Sequence, residues 1–445
     1  MNKINLGLSK AVKYLEKIVR GLIYLYILTI PFQSIGFRFI GLNIGVPEIV
    51  FLVLAPLAVI NIIICKQNFW INKLDLFILG WLIATIIAGW HAGLDSIVVI
   101  EIIKTTYLVM LYTTLKLTIS PKMIPTIANV IILSSLMAAL TGIIGFGLGY
   151  LGIDTTLSII RPFPYSIEKV TQVKGFTPTP NMLASIIMIG IFFQIHKIYN
   201  NKKLCTSNIL LFVILLIGFL ITLSKTIVCL IIGITLIWYF HKRPKLSLTT
   251  QTVTTIAVAG LVIVYIFGTH FIIVEKDQNF EILKGDYIAG PVLIETANSS
   301  VYPSQYWLLK KISFKAISQS FPWGLGPGKF NGFAHDLKQN DAYPTHVPFP
   351  DPHSTYLGTL AEIGLPGFIA FFGIIFFVIK FSRKILSNYA ADQNMSTSLP
   401  TVFIVIGMEA ISTDVMHFRH YWILLILLVS TFQNLKSTSS KSLNL

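Results

Sequence analysis

Apolar stretches long enough to cross the roughly 30 Å of hydrocarbon in a bilayer recur along almost the whole chain. Hydrophobic residues make up 54% of the sequence and charged residues only 12%, which excludes an ordinary soluble domain. We predict an all-α polytopic membrane protein with about 12 transmembrane helices. Several predicted spans are short, so a half-span is an alternative for one or two of them. The spans are expected at 21–34, 46–65, 74–90, 97–117, 124–151, 181–195, 209–223, 226–240, 254–274, 354–379, 399–411 and 421–432.

The positions of lysine and arginine predict how these spans are oriented. Most basic residues lie in alternate connections, and the other short connections carry few apart from Arg38, Lys225 and Arg419. By the positive-inside rule, both termini are expected in the cytoplasm, which requires an even number of spans. The net charge of +15 is therefore spread over loops that flank the membrane, and no nucleic-acid partner is expected.

Two long segments interrupt the apolar pattern, and both are expected on the outer side. The first covers residues 152–180, and the second covers residues 275–353. Long connections in compact proteins are usually functional. They divide the chain into a bundle at 1–274, a large periplasmic loop at 275–353, and further spans with a cytoplasmic tail at 354–445. Within the large loop, residues 307–317 have helical periodicity, which predicts a short helix lying on the membrane surface.

His353 is the strongest candidate for a catalytic residue. It follows a proline at the outer end of a predicted span, where an imidazole meets both water and lipid. Histidine changes its charge near neutral pH, so a side chain in this place can serve as a general base. The alternative is an interfacial histidine without a chemical role.

Lys225 lies between two spans with almost no loop, on the side where positive charge is otherwise scarce. A cation held there, with Ser224 beside it, is suited to a phosphate or pyrophosphate group. The alternative is a lysine that extends to the lipid headgroups.

Other outer-side residues could also contact an anionic substrate. Lys174 offers a second cation, Asn181 is expected to cap the following helix, and Arg161 lies in the same segment. Turn and cap chemistry alone would also explain Asn181. In the large loop, Lys310 and Lys311 are candidates for binding pyrophosphate, with ordinary headgroup contacts as the alternative.

Further polar and aromatic side chains admit several interpretations. Glu101 and Lys104 are one helical turn apart, which predicts an ion pair. One set of aromatic residues is expected either to stack on sugars or to fill a small core: Trp323, Phe330, Phe333, Tyr343 and Phe349. The three isolated cysteines do not have the spacing of a metal site. The same is true of the histidines and aspartates of the large loop, which are His335, Asp336, His346, Asp351 and His353. No metal is therefore expected.

Several segments, in this order, resemble the O-antigen ligase and O-antigen polymerase superfamily of bacterial membrane glycosyltransferases. They are FTPTPNMLA at 176–184, LSK at 223–225, FPWGLGPGKF at 321–330, PHSTYLGTLAEIGLPG at 352–367 and RHYW at 419–422. The resemblance implies a GT-C-like helical bundle with one large periplasmic loop that contains short helices, located in the bacterial inner membrane.

The resemblance also implies a reaction and roles for two residues. A glycan would pass from an undecaprenyl-pyrophosphate-linked donor to an acceptor hydroxyl, either on lipid A-core or on another glycan, without a cofactor or metal. His353 matches the histidine that activates the acceptor. Lys225 stands where the family usually has an arginine assigned to the pyrophosphate, and this exchange keeps the charge but loses the planar fork.

A transporter, such as a flippase for the same lipid-linked glycan, is the alternative function. Transporters commonly have internal repeats and charged residues near the middle of the membrane. In this chain the functional polar residues concentrate in the outer segments, which favours chemistry at the membrane surface.

Overall fold

The computed structural model describes residues 2–65, 71–162, 169–200, 205–242, 246–275, 288, 290–339, 351–387 and 397–442. Helices dominate these residues. They are α1 (Asn2–Thr29), α2 (Val46–Ile64), α3 (Lys73–Ala92), α4 (Ser96–Thr118), α5 (Ile124–Tyr150), α6 (Pro180–Asn200), α7 (Thr206–Leu220), α8 (Ile227–Lys242), α9 (Leu248–His270), α10 (Gln305–Ser320), α11 (Phe330–Gln339), α12 (Thr355–Ser387), α13 (Ser398–Glu409) and α14 (Arg419–Ser442).

The mostly helical membrane fold agrees with the prediction. In the described part of the chain, seven helices are long and apolar enough to cross a membrane, and α7, α8 and α13 are shorter apolar helices. The seven are α2, α3, α4, α5 with the turn before it, α6, α9 and α12. Each of the twelve predicted spans overlaps a helix. The number of complete crossings, the orientation and the predicted division at 274 and 353 stay predictions.

Helix α6 lies at the centre of the bundle. Protein buries 78% of its most apolar window, against 11% for α9, so α9 is the peripheral helix that offers most of its surface to lipid. Several helices begin at a residue whose side chain accepts a first-turn backbone N–H, among them α3 at Asn72, α4 at Asp95 and α9 at Ser247. For example, Asp95 accepts a hydrogen bond from the backbone N–H of Val98 and so begins α4.

Short strands occupy three of the connections and were not predicted. β1 (Gly36–Phe39) pairs with β2 (Leu42–Gly45), and β3 (Ser158–Pro162) pairs with β4 (Lys169–Val173). β7 (Ser299–Pro303) lies between β5 (Phe271–Glu275) and β6 (Ile294–Glu295). All pairs are antiparallel. These connections therefore satisfy part of their backbone hydrogen bonding within themselves.

Helix α12 is interrupted at Gly364, and the interruption holds the large loop against the bundle. Gly364 has φ 72°, and a Cβ atom there would lie 2.2 Å from the carbonyl oxygen of Pro322. The freed backbone groups pair with the loop instead: Leu365 N–H donates to Pro322 O at 2.8 Å, and Leu325 N–H donates to Ala361 O at 2.8 Å. The segment at 321–330 is thus the docking element of the loop.

The apolar side of α10 contacts protein, and the prediction that it contacts the membrane is wrong. Ile312 is buried in a cluster with Leu309, Ala316, Phe330, Ala334 and Ala361. Leu308 and Ile317 pack against the same cluster. Periodicity alone identified the apolar side of this helix, but only the fold shows that α11 and α12 cover it.

Candidate functional site

The candidate site lies at the end of the bundle where four separate segments meet. They are the turn between α7 and α8, the start of α10, the residues just before α12, and the connection between α13 and α14. Lys225 contacts Tyr306, Tyr306 contacts His353, and Lys310 joins His353 to Ile411. Residues that are far apart in the sequence therefore share one surface region.

His353 is held through both its backbone and its side chain. Its φ of 42° is the left-handed conformation, which a residue with a Cβ adopts at a cost of about 1–2 kcal/mol. One oxygen of Asp351 accepts the backbone N–H of His353 at 2.8 Å and also lies 2.8 Å from Nδ1. The imidazole packs against the ring of Tyr306, with centroids 5.2 Å apart. With Nδ1 donating to Asp351, the nitrogen that can accept a proton is Nε2.

Asp351 is ionised in this arrangement. Partial desolvation by the surrounding protein opposes its charge, but hydrogen bonds from His353 outweigh that effect and hold the pKa of Asp351 below its ordinary value. The side chain of His353 is 31% exposed, so a substrate can reach the imidazole. From the sequence alone, Asp351 enters only the metal-site interpretation. The order Asp-Pro-His was the available signal, because an aspartate often accepts the N–H two residues ahead.

Ser224 and Asn181 lie together and fix the turn that carries Lys225. The Ser224 hydroxyl donates to Asn181 Oδ1 at 2.9 Å, and the Thr226 hydroxyl donates to Ser224 Oγ at 2.9 Å. The prediction that Asn181 caps its helix is wrong, because Thr179 Oγ1 accepts the first-turn N–H of Met182. The Asn181 side chain is instead used to anchor the neighbouring turn.

The ammonium group of Lys225 lies 4.7 Å from the centroid of the Tyr306 ring, a cation–π contact. Part of the side chain is exposed, but the surrounding protein desolvates the ammonium and lowers the pKa of Lys225 to about 8. Tyr306 therefore contacts both the cation and the imidazole. No sequence pattern had pointed to this tyrosine.

Lys310 and Lys311 have different surroundings although they are neighbours. The Lys310 ammonium is buried and donates to the carbonyl oxygens of His353 at 2.5 Å and Ile411 at 2.9 Å. Lys311 is exposed, with its ammonium 6.0 Å from the centroid of Trp307. Only Lys310 is joined to the His353 segment by these contacts.

The remaining predicted contacts lie in the first long segment. Lys174 follows β4, and its backbone N–H donates to Leu157 O at 2.9 Å. Arg161 is in β3, paired with Val170, and its side chain lies outside the described residues. The contacts described above do not join Lys174 or Arg161 to His353.

The loop aromatics that the structure describes mostly contact protein. Phe330 is buried and Phe333 packs against the same cluster, while Trp323 stacks on His91 with centroids 5.3 Å apart. His335 and Asp336 are exposed on α11. Tyr343, His346 and Phe349 lie outside the described residues. Within the part of the chain that the structure covers, no three His, Cys, Asp or Glu side chains are grouped as metal ligands would be.

Several other charged side chains near the site form ion pairs. Glu101 and Lys104 form the predicted ion pair at 2.6 Å. His417 lies 3.1 Å from Asp414 and 4.0 Å from Glu101. Burial opposes its charge, but these two carboxylates outweigh burial and raise the pKa of His417 to about 9. Arg419 pairs with Glu48, which explains how this cation is accommodated at that end of the bundle.

These features define a multi-pass membrane protein with a histidine–aspartate pair and a separate cation at one end of its helical bundle. Residues 210–372 match the family model described as O-antigen ligase. The match supports an O-antigen ligase family membrane protein and confirms the resemblance found in the sequence. It spans Ser224, Lys225, Tyr306, Lys310 and His353. A comparison with curated proteins finds no match.

Proposed function

We propose that this protein transfers a glycan from an undecaprenyl-pyrophosphate-linked donor to an acceptor hydroxyl at the periplasmic face of a bacterial inner membrane. The acceptor is lipid A-core or another glycan. The observation that carries this proposal is the placement of His353, which pairs with Asp351 and contacts the same tyrosine ring as Lys225, inside the segment that matches the O-antigen ligase family.

In the proposed reaction, Nε2 of His353 takes the proton of the acceptor hydroxyl while the acceptor oxygen attacks the anomeric carbon. The bond from that carbon to the pyrophosphate oxygen breaks, and undecaprenyl pyrophosphate leaves with the electron pair. Lys225 stabilises the negative charge that develops on the leaving oxygen. The attack and departure occur on opposite sides of the anomeric carbon, so the configuration inverts.

Asp351 supports the base in two ways. It keeps the proton of neutral His353 on Nδ1, which leaves Nε2 able to accept a proton, and it stabilises the imidazolium that forms. Pyrophosphate is already a good leaving group, so the protein mainly supplies positioning and charge. Ser224 and Asn181 contribute by fixing the turn that carries Lys225.

Support for a periplasmic site comes from the distribution of basic residues. The short connections at the site end of the bundle carry few basic residues, and the positive-inside rule assigns such connections to the outer side. A cysteine introduced at exposed Lys315 tests this directly. It should react with an impermeant maleimide in intact spheroplasts, and labelling only after lysis would overturn the proposal.

Deletion of the gene, with the surface glycan resolved on a gel, tests the function. Loss of all long chains attached to core indicates a ligase, and a single repeat left on core indicates a polymerase. A glycan pattern unchanged by deletion would contradict both. A stably produced His353→Ala protein should fail to restore the pattern. Full restoration would remove His353 from the mechanism, and Asp154→Asn, an exposed change in the first long segment, serves as the control.

A further inference from the structure

Lys310 is a buried lysine with no carboxylate among its hydrogen-bond partners in the described structure. Its side chain comes from α10, and its ammonium donates to backbone carbonyls of two different segments. One carbonyl belongs to His353, and the other belongs to Ile411 in the connection between α13 and α14. The residue is only 9% exposed.

We infer that Lys310 is a positioning residue, which fixes the backbone of His353 against the 410–418 connection and does not bind the pyrophosphate of the donor. The inference rests on the proposed function, because it assigns the lysine a part in placing the proposed base.

The hydrogen-bonding capacity of Lys310 supports this assignment. A lysine that binds pyrophosphate needs a charged ammonium with donors directed at the ligand. Here two donors are already directed at carbonyl oxygens at 2.5 and 2.9 Å. Burial lowers the pKa of Lys310 to about 7, although Asp351 opposes the shift. A neutral amine keeps two N–H groups, which are enough for the two carbonyls.

The conformation of His353 explains why its backbone needs the two hydrogen bonds that Lys310 makes, which we call the Lys310 clamp. A left-handed backbone at a residue with a side chain persists only when its surroundings hold it in place. Asp351 holds the N–H and Nδ1, Tyr306 contacts the ring, and Lys310 holds the carbonyl. Tyr306 and Lys310 are four residues apart and so share one side of α10. Of these contacts, only the hydrogen bond from Lys310 is made to the carbonyl oxygen of His353, and removing Lys310 abolishes it.

The protein should still fold without the Lys310 ammonium. Thr355 also links the two segments: its N–H donates to Ala410 O at 2.9 Å, and its hydroxyl donates to Thr413 O at 2.9 Å. A Lys310→Met side chain keeps most of the apolar stem in the same place. The expected defect is therefore local to the His353 carbonyl.

The test compares Lys310→Met and Lys310→Gln with Lys315→Met, which removes an exposed lysine from the same helix. Each protein is placed in lipid nanodiscs and supplied with undecaprenyl-pyrophosphate-linked glycan extracted from the deletion strain, together with core acceptor or glycan acceptor. Initial transfer rates are measured over a range of donor concentrations. Binding of undecaprenyl pyrophosphate is measured separately.

We expect Lys310→Met to lower kcat by about 10- to 100-fold, the effect of a slightly misplaced reacting group, with donor KM and undecaprenyl pyrophosphate binding changed less than about twofold. Lys310→Gln should recover much of the rate, because a neutral amide also offers two N–H donors. Lys315→Met should match the unchanged protein. If Lys310→Met cannot be obtained as a folded protein, Lys310→Gln alone tests the inference. A donor KM that stays the same supports a positioning role, and a raised donor KM supports a role in binding pyrophosphate.

A different pattern overturns the inference. If both Lys310 variants raise donor KM and weaken undecaprenyl pyrophosphate binding, Lys310 is a ligand of the leaving group. If both have unchanged kcat and KM, the clamp has no function. His353→Ala is measured beside them: full activity of that variant refutes the proposed base, whereas an inactive His353→Ala with an unaffected Lys310→Met refutes only the clamp.

Discussion

The pairing of Asp351 with His353 can be tested by removing its charge while keeping its shape. In the unchanged protein, the backbone nitrogen and Nδ1 of His353 both lie 2.8 Å from one oxygen of Asp351. In Asp351→Asn, the amide oxygen can still accept both hydrogen bonds. What is lost is the charge that stabilises the imidazolium. A hydrogen bond to a charged group contributes about 1.5–3 kcal/mol and a neutral one about 0.5–1.5 kcal/mol. Because the Asp351 side chain is 57% exposed, we take the lower value of each range, and the two values differ by about 1 kcal/mol.

This difference corresponds to about a fivefold fall in kcat for Asp351→Asn. Asp351→Ala removes both hydrogen bonds and lets the left-handed backbone of His353 relax, so it should cost about 3 kcal/mol, or about 150-fold in kcat. Donor KM should stay nearly constant in both variants, because neither is expected to contact the pyrophosphate. The assay is the initial rate of glycan transfer in nanodiscs against donor concentration.

The informative quantity is the ratio of the kcat of Asp351→Asn to the kcat of Asp351→Ala. If Asp351→Ala has the same kcat as the unchanged protein while His353→Ala is inactive, Asp351 does not orient the base. If Asp351→Asn is as damaging as Asp351→Ala, the amide has failed to keep the geometry or the charge matters far more than its exposure implies. Asp154→Asn again controls for the loss of one exposed carboxylate.

Three further outcomes are expected. Donor kcat/KM should fall as pH rises through about 8, where Lys225 loses its charge, and Lys225→Arg should move this fall to higher pH; an unchanged profile in Lys225→Arg would refute the assignment. Tyr306→Phe should keep the ring contacts and stay within about threefold in kcat, whereas Tyr306→Ala should lose at least about tenfold; equal rates would exclude a role for the ring. Gly364→Ala should destabilise the protein by about 3 kcal/mol or more, because its Cβ would meet Pro322 O. Gly332→Ala, in helix α11, has open space for its Cβ and should leave thermal unfolding unchanged or slightly raise the melting temperature. Matching melting curves for the two variants would contradict the structure.

Much of the fold could be predicted from the sequence, because hydropathy is a local property. The span predicted at 46–65 is α2 at Val46–Ile64, and the span predicted at 97–117 lies within α4 at Ser96–Thr118. The Glu101–Lys104 pair followed from helical spacing for the same reason. The strands in the connections escaped prediction, since short strands without a clear alternation carry little signal.

The candidate site was predicted only in part. His353, Lys225, Ser224 and Asn181 were identified from residue type and position, and the structure brings them to one end of the bundle. The partnership between Asn181 and Ser224 was not foreseen, because it depends on how α6 lies beside the turn between α7 and α8. Tyr306 was missed because its contacts come from residues about 50–80 positions away, at His353 and Lys225.

The sequence by itself determined that the chain is a membrane protein and where most of its apolar helices lie, and it identified basic residues and a histidine whose chemistry suits an anionic substrate. These conclusions follow from composition and charge along the chain. The tertiary structure alone decided how the lysines are used. Lys310 and Lys311 are adjacent and chemically identical, yet one is buried against the carbonyls of His353 and Ile411 and the other is exposed. Those partners are 43 and 101 residues away from Lys310, and only folding brings them within hydrogen-bonding distance.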